Sequence, residues 1–254
     1  MGVSRSSLYY VSKLLPKDWE LKAGIEKVLE DRPSYGYRRV AQELRINKKR
    51  VQRVMQLYGL RAYRRRVKKP KKTGVAVGDY PNLLKTYFPK KLNDVWVADF
   101  TYIPYDGTFI YLATVMDLFS REILGWSVMA NHSVMLVMEA LFAALAKHER
   151  PCIHHCDNGR EYGSKAYVGT LQRIGTFISR SAKASPWENG YQEAFYSQFK
   201  IDLGDPNRFT TLGELVAEVH RLVWDYNHQR IHSAFRMPPS VFAERYQKLS
   251  ELVS

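Results

Sequence analysis

Cysteines and long apolar runs are scarce in this sequence. Only two of its 254 residues are cysteines, Cys152 and Cys156, and both lie on one short apolar run. A single strand places them poorly for pairing, so we expect a reducing, cytoplasmic setting without a disulfide. No stretch approaches the roughly 20 apolar residues that a membrane span needs. The residues from Met1 to Ser7 also lack the apolar core of a secretory signal.

Acidic residues are scarce in the N-terminal third. Residues 1–92 contain 24 Lys and Arg against 7 Asp and Glu, a balance of +17. Residues 93–254 contain the remaining 15 Lys and Arg and 18 Asp and Glu, a balance of −3. Positive charge confined to one part indicates a polyanion-binding module joined to a near-neutral domain, and nucleic acid is the obvious polyanion. A solvated basic surface without a partner is the alternative.

The apolar spacing of residues 1–60 predicts a small helical domain. Helices are expected over residues 3–15, 19–31, 37–44 and 48–58. Asn47 is a suitable N-cap for the last helix, and Gly59 ends it. A helix, a tight turn and a basic helix follow the helix-turn-helix plan, in which the last helix enters the major groove of DNA. The candidate DNA-binding residues on this last helix are Lys48, Lys49, Arg50, Gln52 and Arg53.

Residues 61–92 are predicted to be a basic linker. Eight Lys and Arg lie between residues 61 and 72, including Arg64, Arg65 and Arg66. Such a block repels itself, so it is expected to be flexible or to lie along DNA phosphates.

From residue 95 the pattern changes to that of an α/β domain. Strands are predicted over residues 95–103, 109–117, 122–130, 152–156 and 176–179. Helices are predicted over residues 133–148, 165–174 and 212–227, around Glu193, and from residue 238 to about 252. Short connections between the first three strands, one of them the Asp106-Gly107 turn, imply antiparallel neighbours.

Three carboxylates stand out in this domain. Asp99 lies in the middle of an apolar strand, Asp157 ends a strand before Asn158 and Gly159, and Glu193 lies on a helix rich in aromatics. Each has an ordinary alternative: a satisfied buried acid, turn chemistry and a solvated helix residue. Together they could hold hard divalent cations, which prefer carboxylate oxygens and catalyse phosphoryl transfer in pairs about 3.5–4 Å apart.

Five sequence blocks resemble the insertion-sequence transposases of the IS-three family (OrfB type), within the DDE transposase and retroviral integrase superfamily. The blocks are WVADFTYI at 96–103, VMDLFSR at 115–121, HCDNG at 155–159, the run 189–200, and YNHQRIHS at 226–233. The resemblance implies an RNase H-like mixed sheet, the integrase catalytic core, over residues 93–254. The order of predicted elements agrees with that fold.

The resemblance also implies a site and its partners. Asp99, Asp157 and Glu193 would hold two Mg²⁺ ions, with Mn²⁺ possible, and Lys200 would contact the DNA end of the element. The implied partners are the terminal repeats and target DNA, further copies of the chain on DNA, and the protein of an upstream reading frame. The chain would act at the bacterial nucleoid.

Some residues depart from the family or admit other interpretations. The family usually has Asp at the position of Glu188 and its catalytic Glu at Glu193, so Glu193 is preferred. Cys156 replaces a more usual Ser, and Ala98 replaces a more usual Thr. The Cys and His residues at 152–156 invite a zinc interpretation, which one extended strand does not support. DNA contact and structural bonding are equally open for Asn227, Arg230 and His232.

The sequence therefore predicts a DNA transposase that catalyses strand cleavage and strand transfer. An RNase H-like nuclease without joining activity and a DNA-binding regulator derived from a decayed transposase are the alternatives.

Overall fold

The computed structural model describes residues 14–64, 80–181 and 190–253. The chain divides into two compact units, Met1–Arg65 and Arg66–Ser254. Most of the helix predicted at 3–15 lies outside the described residues. Arg65, Arg66, the lysines at positions 68, 69, 71 and 72, and Glu188 also lie outside the described residues. Among the helices that are described, none is long and apolar enough to cross a membrane.

The first unit contains helices α1 (Leu14–Asp31), α2 (Tyr37–Glu43) and α3 (Lys48–Leu57). The Asn47 side chain caps α3 by accepting a 2.8 Å hydrogen bond from the backbone N–H of Lys49. Gly59 follows α3 with a φ of 65°, a conformation that glycine adopts without strain. The helices predicted at 19–31, 37–44 and 48–58 and the cap are therefore present, and α1 begins five residues before its predicted start at residue 19.

The apolar stripes of these helices meet in one small core. Its fully or nearly buried side chains are Leu21, Ile25, Val28, Tyr35, Val40, Ala41, Val51, Val54 and Met55. The basic residues of α3 lie on its remaining surface, as expected for an amphipathic helix.

The second unit is built on one five-stranded sheet in the order β3-β2-β1-β4-β5. Its strands are β1 (Val95–Tyr105), β2 (Thr108–Asp117), β3 (Ile123–Met129), β4 (Ile153–Cys156) and β5 (Phe177–Arg180). The first three strands are antiparallel, and β4 and β5 run parallel to β1. Asp106 and Gly107 both have positive φ in the β1–β2 turn, as a two-residue hairpin requires. The predicted mixed sheet is confirmed.

Helices cover both faces of this sheet. They are α4 (Val134–Leu145), α5 (Lys165–Arg173), α6 (Gly190–Leu203) and α7 (Leu212–His228). A last helix, α8 (Pro239–Val253), packs on α7. One core lies between the sheet and α6 and α7, and includes Val97, Phe195, Phe199 and Val223. The other lies between the sheet and α4 and α5, and includes Trp96, Leu141 and Leu171.

Small residues occupy part of the buried face of α4. Phe142, which lies on the apolar stripe of this helix, is 50% exposed, while Ala140 and Ala144 are buried. A Cβ placed on Gly125 of β3 would lie 2.3 Å from the Ala140 carbonyl oxygen and 2.5 Å from the Ala144 nitrogen. The helix approaches the sheet closely here, so small residues occupy its inner face and the large Phe142 is displaced outward.

Residues 80–92, assigned by sequence to the linker, pack on the sheet of the second unit. Leu83, Leu84 and Tyr87 contact the core on the α6–α7 side of the sheet. The Ser179 hydroxyl accepts a 2.9 Å hydrogen bond from the Leu83 N–H, and the Tyr87 hydroxyl donates to both carboxylate oxygens of Asp94 at 2.9 Å. These contacts bind residues 80–92 to the sheet, so the second unit includes residues before 93.

Candidate active site

The parallel pairing of β1 and β4 brings two of the three candidate acids together. Val97 is paired with His155, and Asp99 and Asp157 each lie two residues further along their strands. Both carboxylates are half-buried. Each accepts one short-range backbone hydrogen bond of 2.9 Å, Asp99 from the N–H of Phe100 and Asp157 from that of Gly159.

Burial and neighbouring charges raise the pKa of both carboxylates. Burial and then the charge of Asp157 raise the pKa of Asp99 to about 8, and Glu193 adds a smaller increase. The Phe100 N–H and the charge of Lys200 oppose that rise. Burial also raises the pKa of Asp157, with a further increase from Glu161. Negative charge is therefore concentrated around Asp99 beyond what its hydrogen bonds and Lys200 compensate.

Helix α6 is fixed to β1 by buried polar contacts. The Gln192 amide donates a 2.8 Å hydrogen bond to the Val97 carbonyl and accepts one of 3.0 Å from the Thr114 hydroxyl. The Tyr196 hydroxyl lies 2.6 Å from the Asp99 carbonyl oxygen, to which it donates. The aromatic face predicted for this helix is confirmed by the burial of Phe195, Tyr196 and Phe199.

Glu193 follows Gln192 in the first turn of α6, but the structure does not bring it fully into the acidic pair. Its side chain is exposed, and burial alone accounts for the upward direction of its pKa. Among the described residues, no three His, Cys, Asp or Glu side chains are arranged to hold a metal ion. Two acids are adjacent, and the third is placed on a helix that is bonded to the same strand.

Sequence reasoning missed a further acid beside Asp157. Glu161 pairs with His132, whose Nδ1 lies 2.8 Å from the carboxylate. A Cβ on Gly159 would lie 2.9 Å from Asp157 Oδ1 and 3.2 Å from Glu161 Oε2, so the two acids border the same small space. The sequence signal for Glu161 was its position four residues after Asp157. Nothing in the local sequence indicated its partner His132, which lies 29 residues earlier.

Lys200 lies on the same helix as Glu193, two turns further along. Its ammonium is 4.5 Å from the centre of the Tyr102 ring, and Tyr102 packs edge-on against Phe109. Both aromatic rings are about half exposed, at 56% and 46%. A cation and two exposed rings therefore form one surface on the β1–β2 hairpin.

The basic residues of α3 differ in their surroundings. Lys48 and Lys49 are exposed. In contrast, the Arg53 guanidinium makes a two-point ion pair with the buried Asp18 carboxylate, at 2.6 and 2.8 Å. Arg50 donates a 3.2 Å hydrogen bond to the Lys17 carbonyl. These two arginines therefore join α3 to α1, a role that the sequence did not indicate.

Gln52 lines a groove in the first unit. The groove has a volume of about 470 Å³, and its lining also includes Tyr37, Gln56, Arg61 and Arg64, without any acid. Gln52 and Arg64 are therefore brought to one electropositive surface.

Asn227 and Arg230 are structural. The Asn227 amide accepts from the Ile123 N–H at 2.9 Å and donates to the Ile123 carbonyl at 2.8 Å. Arg230 is buried and pairs with Asp202 and Gln198. His232 stacks on Phe235. For Asn227 and Arg230, these bonds favour a structural role over the alternative of DNA contact.

The histidines of β4 do not form a zinc site. His154 shares a 3.1 Å hydrogen bond with the Tyr167 hydroxyl, and His155 shares one of 2.8 Å with the Ser179 hydroxyl. Cys152 is exposed, Cys156 is buried, and both are free thiols.

A five-stranded mixed sheet of this strand order between helices defines the RNase H-like fold class. The integrase core domain family matches residues 89–186, and a second integrase core domain family matches residues 175–239. A chain of the simian T-cell lymphotropic virus intasome structure superposes with a TM-score of 0.52 at 16% identity. The superposition covers 76% of this chain and 65% of that one, slightly under two thirds, and shows the shared fold.

Curated relatives identify the family. The transposase for insertion sequence element IS904 of Lactococcus lactis is 34% identical over 228 residues, covering 85% of this chain and 90% of the relative. The putative transposase InsK for insertion sequence element IS150 of Escherichia coli is 32% identical over 244 residues, covering 90% and 85%. The chain belongs to the IS-three family of DDE transposases.

Proposed function

We propose that Asp99, Asp157 and Glu193 are the catalytic carboxylates of this DNA transposase, acting in strand cleavage and strand transfer at the ends of an insertion sequence. The observation that carries the proposal is the parallel register of β1 and β4, which brings Asp99 and Asp157 to the same edge of the sheet. Burial and the charge of Asp157 raise the pKa of Asp99 to about 8, and such a shift is typical of functional sites.

The donor set suits a hard divalent cation. Asp99 and Asp157 offer carboxylate oxygens, which Mg²⁺ and Mn²⁺ prefer, and the added positive charge would relieve their repulsion. When bound, a pair of such ions supplies the charge that activates the attacking oxygen and stabilises the leaving oxygen. Glu193 would complete the site from α6, since Gln192 and Tyr196 hold that helix against β1.

The chain's own residues would position the DNA strand. The half-buried Lys200 lies against the exposed Tyr102 ring, and these two residues are on the helix and strand that carry Glu193 and Asp99. A cation beside an aromatic ring suits a phosphate with a neighbouring sugar or base. We assign Lys200 to contact with the element end.

The N-terminal unit would recognise the element ends. Lys48, Lys49 and Gln52 on α3 are the proposed contacts, with Arg64 lining the same groove as Gln52. Arg65 and Arg66 would add sequence-independent phosphate contacts. Arg50 and Arg53 could also contact DNA, but their bonds to α1 would have to be kept or exchanged.

Site-directed variants assayed on DNA carrying the terminal repeats test this assignment. Glu193→Gln keeps the shape of the side chain and removes the charge, so it should abolish Mg²⁺-dependent cleavage and strand transfer while leaving DNA affinity and fold unchanged. Glu161→Gln is the matched control, because it removes a nearby charge that the proposal does not use.

The competing acid and the competing activities give distinct results. Retained activity in Glu193→Gln together with loss in Glu188→Gln or Glu161→Gln would show that another acid serves the site. Wild-type cleavage without joining of pre-cleaved ends would indicate a nuclease. End binding without cleavage in any divalent cation would indicate a regulator.

A further inference from the structure

A second site lies beside the first turn of α6. It is a pocket of about 630 Å³, within the usual range of roughly 300–1,000 Å³ for ligand sites. Two cationic side chains, Lys85 and Arg121, and four aromatic rings, Tyr87, Phe88, Phe119 and Tyr191, line it, and its lining contains no carboxylate. The charge and ring content of this pocket, the Arg121 pocket, match an anion attached to a flat apolar group.

Arg121 supplies an unused donor to the pocket. Its guanidinium carbon lies 3.6 Å from the centre of the Tyr191 ring, a stacked arrangement. The buried Nη1 atom has no hydrogen-bond partner among the described residues. Buried donors are normally satisfied, so a ligand acceptor reached by a small rotation of the Arg121 side chain would satisfy this atom. Stacking leaves the edge of a guanidinium free for the two-point recognition of phosphate.

The backbone holds Arg121 in place. It lies in the tight connection between β2 and β3 with a φ of 65°, and its N–H donates a 2.8 Å hydrogen bond to the Asp117 carbonyl. The Asp117 carboxylate in turn accepts 2.8 Å hydrogen bonds from the N–H and the hydroxyl of Ser120. The guanidinium therefore projects from a fixed turn rather than from a long loop.

Aromatic surface is exposed at the same place. Phe88 is 74% exposed and Tyr191 is 52% exposed, which is unusual for side chains that contribute strongly when buried. The Tyr87 hydroxyl is already bonded to Asp94, so Tyr87 contributes its ring to the lining of the pocket. Exposed rings next to cations are the arrangement by which proteins bind unpaired bases, because every base offers a face for stacking.

Building on the proposed transposase function, we propose that the Arg121 pocket binds one unpaired nucleotide of the DNA strand, with its phosphate on Arg121 and its base against the aromatic rings. Tyr191 lies two residues before Glu193 in the first turn of α6, where the two side chains point to different sides of the helix, so the bound nucleotide would lie beside this turn. A paired base is stacked in the duplex and cannot present its face to these rings. The pocket therefore selects a strand that is frayed or extended beyond the duplex.

Fluorescence anisotropy with the full chain in EDTA, which prevents cleavage, tests the proposal. The probes are a blunt duplex, the same duplex with a three-thymidine 5′ extension, and the duplex with an abasic extension of equal length. The wild type should bind the thymidine extension about tenfold tighter than the blunt end, with the abasic probe in between. Tyr191→Leu should remove the difference between thymidine and abasic extensions, because it removes the stacking surface.

Arg121→Met should reduce the remaining advantage of the abasic extension and make its salt dependence shallower by roughly 0.7, the slope of one single-strand phosphate contact. Arg121→Lys should restore part of that advantage. Arg173→Met, an exposed arginine on α5, is the charge-matched control and should preserve the preference. Thermal unfolding of each variant verifies the fold.

Three results would overturn the proposal. Equal losses on blunt and extended DNA would make Arg121 a general phosphate contact. A wild-type chain without preference for the extension would leave the pocket no role in binding an unpaired nucleotide. A chain that binds no DNA would overturn the proposed function as well, which separates the two failures.

Discussion

At the scale of single residues, the charge of Asp99 determines a pH dependence. Its folded pKa is about 8, above the ordinary value of 3.8, so the folded chain binds a proton more tightly than the unfolded chain. This group therefore lowers the free energy of unfolding as pH rises from about 4 to about 8, and the effect is constant above that range.

Asp99→Asn should consequently stabilise the metal-free chain at pH 8.5. The expected gain is roughly 2–5 kcal/mol, since each pKa unit corresponds to about 1.4 kcal/mol, and it should nearly vanish at pH 4. Thermal or urea unfolding in EDTA measures it, with the exposed Glu149→Gln as the control. A loss of stability at pH 8.5 would show that Asp99 is compensated. Added Mg²⁺ should raise the unfolding temperature of the wild type and not that of Asp99→Asn.

Asn227 provides a residue-scale test of structural against DNA-binding roles. Its amide satisfies both backbone groups of Ile123 in β3. Asn227→Ala leaves two buried polar groups unpaired, which should lower the free energy of unfolding by about 2–4 kcal/mol. DNA affinity, measured where the variant is fully folded, should be unchanged. A selective loss of DNA affinity with normal stability would contradict the structural assignment.

At the scale of elements, the contact between α4 and β3 depends on the absence of a side chain at Gly125. Gly125→Ala would place a methyl group 2.3 Å from a backbone oxygen, so helix and strand must separate. We expect a loss of about 2–3 kcal/mol or more in the free energy of unfolding, as for overpacked cores.

Gly169 is the matched control for that substitution. It lies in α5, and a Cβ there would meet nothing within 4 Å. Gly169→Ala should therefore stabilise the chain by about 0.5–1 kcal/mol through helix propensity. Urea unfolding of both variants measures the contrast, and equal effects at the two positions would refute the close packing of α4.

At the scale of the whole molecule, the division into two units makes the functions separable. A fragment of residues 80–254 should fold and be stabilised by Mg²⁺ but bind DNA weakly, because the excess positive charge lies before residue 93. A fragment of residues 93–254 should unfold at a lower temperature, since it lacks Leu83, Leu84 and Tyr87. Differential scanning fluorimetry and anisotropy measure both properties. End-specific affinity equal to that of the full chain in residues 80–254 would contradict the division of labour.

The sequence by itself determined the elements and singled out the candidate acids. Alternating apolar residues give β1 and β2, and an apolar helical period gives α3 and α6, because each pattern reports which face of a local element is buried. The Asp-Gly turn and the Asn47 cap are likewise local chemistry. Asp99 stands out because an acid is uncommon in the middle of an apolar strand, and Asp157 stands out because it directly follows another strand.

Only the tertiary structure decided which partners these residues have. Arg53 is paired with Asp18, 35 residues earlier, and Asn227 is bonded to Ile123, 104 residues away. Helix α4 packs so closely on Gly125 of β3 that small residues lie at the contact, and the large Phe142 side chain is exposed. The apolar period of a sequence indicates which face of a helix or strand is buried, but not which element packs against that face. Such long-range pairings therefore depend on how the elements pack.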